Sequence, residues 1–192
     1  MLITGSRLIH MPVMSLQTGT QIAETVSPVI DPANLNILAY RLTGALLDQK
    51  TETFLRVLDS RELSDIGLIV DSIEDFVEKG DVIRLDEMID LAFSIDGINV
   101  IDEKRKKLGK VIDYTIDVDS FNIQQLTVRR PVLRSFNDTE LVIHRSQIIE
   151  ITNTAIVVHS QAKVPEHTKL TAPGSYVNPF RKTKPAADMR QK

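Results

Sequence analysis

The densest positive run in the chain is Lys104-Arg105-Lys106-Lys107. Residues 98–101 before it and 108–112 after it are rich in isoleucine and valine and read as strands, which puts the run at a hairpin tip. Four cations there would contact phosphates, each neutralised phosphate adding salt-sensitive affinity. No aromatic residue interleaves the run, so base stacking is not indicated. The plainer reading is a solvated turn whose charges keep a sheet edge soluble. A second set lies near the end of the sequence, where Tyr176, Val177 and Phe180 stand among polar and basic neighbours that include Arg181 and Lys182. An extended peptide with two aromatic anchors can dock in a groove or add to a sheet edge. The alternative is that it folds back loosely on its own chain.

The residue types used in catalysis are present but not in working patterns. His10, His144, His159 and His167 show no close spacing such as His-x-x-x-His. A zinc site assembled from them would need three or four ligands in register, so they read as structural or surface histidines. Asp113, Asp117 and Asp119 with Ser120 make an oxygen-rich stretch. It lacks the glycine and terminal glutamate of a twelve-residue calcium loop and reads as a polar turn whose aspartates accept backbone hydrogen bonds. Neither a Gly-x-Ser-x-Gly elbow nor a glycine-rich phosphate loop ending in Gly-Lys-Ser/Thr occurs. Cysteine is absent, which excludes disulfide scaffolds, cysteine nucleophiles and thiolate metal sites. The expectation is a non-enzymatic protein with no catalytic residue, metal or cofactor.

What positions these residues must be read from the rest of the chain. Its 192 residues are 42 % hydrophobic and 26 % charged, near the globular average and sufficient for a core. The longest apolar runs, such as Ile66 to Val70, fall far short of the roughly 20 residues a membrane helix needs. Met1-Leu2-Ile3-Thr4-Gly5 has no charged region followed by an apolar one, so the expected location is cytoplasmic. The net charge of −3 hides an uneven distribution. Residues 1–97 carry 7 basic and 16 acidic side chains, a balance of −9. Residues 98–160 come to +1 and residues 161–192 to +5. The last stretch holds Pro165, Pro173, Pro179 and Pro185 and no sustained periodicity. Such a composition cannot offset its ordering entropy, so 161–192 is read as a flexible basic tail.

An internal repeat organises what remains. With an offset of 86 residues, Ile30-Asp31 falls on Ile116-Asp117, Asn36-Ile37 on Asn122-Ile123, Thr53 on Thr139, Leu55 on Leu141 and Ser60 on Ser146. Past residue 66 a two-residue insertion brings Ile156-Val157-Val158 under Leu68-Ile69-Val70. The ordered match of turns and apolar positions implies duplication. Each unit reads as short strands: 22–30, 36–42, 54–58 and 68–70 in the first, and 108–116, 123–128, 141–143 and 156–158 in the second. Ser60 and Ser146 are read as caps of single helical turns. Between the units, Leu85, Met88, Ile89 and Ala92 recur at helical spacing, which predicts a helix within 81–93 whose apolar side faces the sheet.

The stretch from Lys107 to Asp117, with its Leu108-Gly109-Lys110-Val111 start and its Ile116-Asp117 turn, resembles the PRC-barrel family. So does the stretch from Val142 to Val158, where His144-Arg145-Ser146-Gln147-Ile148-Ile149 precedes the final strand. The resemblance covers about residues 5–72 and 97–160. The first copy departs from it at Ala23, which stands where the second has Gly109. The resemblance implies a small β-barrel acting mostly as a binding module, as in the cytoplasmic domain of the photosynthetic reaction-centre H subunit and the C-terminal domain of a ribosome maturation factor. It implies no shared catalytic residues.

The expected architecture is mainly β: a first PRC-type barrel in residues 1–80, a linker helix and second barrel in 81–160, and a tail in 161–192. The expected function is that of an adaptor binding an unidentified protein partner through the barrel surfaces, with Tyr176, Phe180, Arg181 and Lys182 adding a linear contact. The alternative is an RNA- or ribosome-associated maturation factor using the basic hairpin tip, Lys104, Arg105, Lys106 and Lys107, together with the tail.

Overall fold

Long alternating runs of isoleucine, valine, leucine and threonine suit a half-buried pleated surface. In the computed structural model, which describes residues 1–131 and 140–159, they form fourteen strands, accompanied among the described residues by one α-helix. The first half contributes β1 (Leu2–Thr4), β2 (Pro12–Ser15), β3 (Gln21–Asp31), β4 (Asn36–Thr43), β5 (Thr53–Arg56), β6 (Glu62–Ser64), β7 (Gly67–Val70) and β8 (Phe76–Glu78). Helix α1 (Ile83–Leu91) follows, then β9 (Asn99–Asp102), β10 (Lys107–Asp117), β11 (Asn122–Arg129), β12 (Glu140–His144), β13 (Ile148–Ile151) and β14 (Ala155–Val158). The fold is mainly β, with a mixed sheet. Tyr176, Phe180, Arg181 and Lys182, and the tail as a whole, lie outside the described residues.

The hydrogen-bonded path through the sheet runs β13-β14-β9-β10-β11-β4-β3-β2-β7-β6. It reads as the same five strands in mirrored order about its centre. The registers agree at the level of single residues. Ile30 faces Ile37 and Asp31 faces Asn36 in one half; Ile116 faces Ile123 and Asp117 faces Asn122 in the other. Parallel pairs close each half, Val13 with Leu68 and Val100 with Ile156. The irregularities are duplicated too. Val26 and Ile112 are both skipped in their ladders, and a second shift falls between Val29 and Ile30 and between Thr115 and Ile116. A bulge bends its strand and re-aims the extra side chain, so its recurrence at equivalent points gives both halves the same curvature.

The halves meet at a local two-fold. Asn36 pairs with Asn122, its own counterpart. Ile37 N donates to the Phe121 carbonyl and Ile123 N to the Leu35 carbonyl, both at 3.0 Å. Leu35 and Phe121 are buried and hold left-handed φ values of 54° and 52°. That conformation costs a non-glycine residue roughly 1–2 kcal/mol. Here it closes the turns Asp31–Leu35 and Asp117–Phe121 through amide-to-carbonyl bonds of 2.8 Å and aims the carbonyls across the junction. One hydrophobic cluster runs through both halves, from Ile3 and Val13 to Ile156 and Val158. The segments preceding each half cross over: β1 pairs with β10, while α1 lies over Val29, Ala39 and Phe54 of the first half.

Several expectations are corrected. The two-residue insertion lies before β12, not near residue 152. Leu55 faces Tyr40 where Ile143 faces Leu126, so Leu55 corresponds to Ile143, and Leu141 corresponds to Thr53. Ser60 and Ser146 do not cap the starts of the helical turns; Ser60 instead ends its turn as the C-cap, its N and Oγ both donating to the Val57 carbonyl. The turns are Val57–Asp59, which Ser60 follows, and Arg145–Gln147, which His144 caps through Nδ1, accepting from Ser146 N. Ala92 does not face the sheet; it is exposed and ends α1 at φ 49°. Ile112 is half-buried because it sits on the bulge, whereas Ile116, Ile123, Leu126, Leu141 and Ile143 are buried.

Candidate functional site

A cleft of about 590 Å³ opens where the halves meet. Its sides are equivalent stretches of β3 and β10, and the two bulge residues, Val26 and Ile112, both line it. Phe54 from β5, Met88 and Ile89 from α1, and Phe93 extend the apolar wall. The N-terminal 3-10 turn Gly5–Leu8 forms another edge. Gly5 is required there, since a Cβ at that position would stand 2.3 Å from the Tyr114 ring.

Polar groups sit around this apolar body. Arg41 Nε lies 3.5 Å from Glu52 Oε1. The Asp113 carboxylate is fixed by three donors: Ser6 N at 3.1 Å, Ser6 Oγ at 2.6 Å and Tyr114 N at 2.8 Å. Among the described residues neither Asp113 nor Asp96 forms an ion pair. Tyr114 lines the cleft at 7 % exposure, and its hydroxyl finds no hydrogen-bond partner among the described residues. Burial above all, then the Asp113 and Asp96 carboxylates, push its ionisation well above the ordinary phenol range. Tyr40, wholly buried, is pushed up by burial first and by Tyr114 second, and its hydroxyl is likewise unpartnered among the described residues.

The cationic run lies where the sequence places it, at the tip joining β9 to β10. Buried Asp102 builds the turn: its Oδ1 accepts from Lys104 N at 2.9 Å and Lys106 N at 2.8 Å. Arg105 takes φ 61° at the apex. Lys104, Arg105, Lys106, Lys107 and Lys110 are all exposed. The neighbouring Glu103 instead pairs with His159 Nδ1 at 2.5 Å. The corresponding tip of the first half, between β2 and β3, carries Gln17, Thr18, Gly19 and Thr20 and no cation.

Exposed apolar side chains differ in place between the halves: Val142 and Ile149 of the second half are 53 % and 47 % exposed, against buried Phe54 and the polar Arg61 of the first. Leu16, Leu58 and Ile66 are 62 %, 90 % and 65 % exposed. The registers of the two halves set them against Glu103, Ser146 and Thr154. Sequence reading did not single out these three residues or the cleft. A comparison of corresponding turns would have exposed the first, once the insertion was correctly placed. No family model matches the chain, and no curated protein matches it significantly.

Proposed function

We propose that the protein is a tandem PRC-barrel adaptor of the cytoplasm, each half being one barrel of that type, which binds a protein partner rather than catalysing a reaction. The observation that carries this reading is the exposure of Leu16, Leu58 and Ile66 in the first half against polar residues at the same places in the second. Apolar side chains left in water where the other half is polar are candidates for a contact surface. Tyr176, Phe180, Arg181 and Lys182 supply a second, linear contact to the same partner. A second reading, as an RNA- or ribosome-associated factor, is favoured by the five exposed cations at and beside the β9–β10 tip.

Salt separates the two. An apolar protein interface changes little between about 50 and 200 mM salt, whereas five phosphate contacts lose about 10²–10³ in affinity. Full-length protein used as bait in a lysate, with and without nuclease, is the test. Partners retained after nuclease and at high salt support the adaptor. Recovery that disappears with nuclease overturns it in favour of the second reading.

A further inference from the structure

We infer that the cleft between the halves binds a small organic cation, an apolar body carrying one ammonium group. This goes beyond the adaptor reading and does not depend on it. The volume of about 590 Å³ falls within the roughly 300–1,000 Å³ typical of small-molecule sites. Val26, Ile112, Phe54, Met88, Ile89 and Phe93 offer an apolar bed for the body of the ligand.

Charge selects its head group. The lining carries three carboxylates, Glu52, Asp96 and Asp113, against the single guanidinium of Arg41. Arg41 is engaged by Glu52, which leaves Asp96 and Asp113 without a cation among the described residues. Both act on Tyr114, whose unpartnered hydroxyl is an acceptor as well as a donor. An ammonium group donates up to three hydrogen bonds and so matches the two carboxylates that line the cleft. Asp113 is already oriented by Ser6, so little side-chain freedom is lost on binding. An anion of the same body would meet an excess of negative charge, and a neutral ligand would leave the carboxylates unmatched.

The test uses the full chain and two fluorescent probes of similar body, dansylcadaverine with an ammonium end and dansylglycine with a carboxylate end. Dansylcadaverine is expected to bind at least about tenfold more tightly, the effect of one charge-assisted hydrogen bond. Asp96→Asn, at an exposed side chain, should remove most of that preference while leaving the thermal midpoint unchanged. Met88→Lys, which introduces a cation into the cleft, should abolish dansylcadaverine binding, with circular dichroism confirming the fold. Equal affinity for both probes, no binding of dansylcadaverine, or a preference untouched by Asp96→Asn would overturn the proposal.

Discussion

Leu16, Leu58 and Ile66 of the first half occupy the places of Glu103, Ser146 and Thr154 in the second, and the neutral turn at Gln17–Thr20 occupies the place of Lys104–Lys106. The outer sheet faces differ in the same way. Phe54 lies under α1, while its counterpart Val142 is 53 % exposed. Beneath these differences the core is conserved down to its bulges and its two left-handed residues. Duplicated packing holds the two halves in one geometry, so divergence accumulates at turns and outer faces, where a side chain can change without disturbing the ladder. The surfaces that distinguish the halves are therefore the places to look for partners, and the buried positions are the places to test the duplication.

The largest effects should come from the shared core. Ile37→Ala and Ile123→Ala each remove a buried side chain at the local two-fold. Each should cost about 2–5 kcal/mol in denaturant unfolding, and the two losses should be alike. A loss confined to one of them would show that the junction is not symmetric in energy.

Next comes the glycine at which the halves differ. A Cβ at Gly109 would stand 2.1 Å from the Arg129 carbonyl oxygen, whereas Ala23 faces Gly44 at the same junction of strands. Gly109→Ala should cost about 1–3 kcal/mol through overpacking, and Ala23→Gly only about 0.5–1 kcal/mol through backbone entropy. Equal costs would refute this local account.

Tyr114→Phe should have a smaller effect. It removes an unpartnered buried hydroxyl, so stability at neutral pH should stay level or rise by about 1 kcal/mol. The folded phenol ionises above its unfolded value of about 10. Its contribution is fully present below pH 10 and is lost as pH climbs from there through the folded value. Alkaline titration of unfolding should thus be flatter for Tyr114→Phe than for the unmodified chain. The smallest stability change belongs to the tip: Lys104→Gln with Lys106→Gln should stay within about 0.5 kcal/mol. If the tip contacts single-stranded nucleic acid, the same pair lowers the salt slope by about 0.7 per lost contact.

The sequence is most readable where composition and period agree. β3, β4, β10 and β11 lie within a residue of the stretches marked by Ile30-Asp31, Asn36-Ile37 and their counterparts. The misplaced insertion has a physical reason. A two-residue slip preserves the alternation of a strand, so setting Leu55 on Leu141 leaves every side chain on its proper face and the pattern cannot reveal the error. The end of α1 was hidden because a left-handed helix cap usually announces itself as glycine, and here it is Ala92. The cleft was hidden because its lining comes from separated segments, and Val26 and Ile112 reach it only through bulges that leave no mark in the hydrophobic pattern.

The partner surface proposed for the first half can be tested apart from its folding. The most direct measurement transfers the second half's residues to the first, as Leu16→Glu, Leu58→Ser and Ile66→Thr in one chain. Its thermal midpoint and its partner recovery after nuclease treatment are then compared with those of the unmodified protein. An unchanged midpoint is expected, because all three side chains stand in water, together with loss of the partner. Full recovery of the partner, or a collapse of the midpoint, would contradict it.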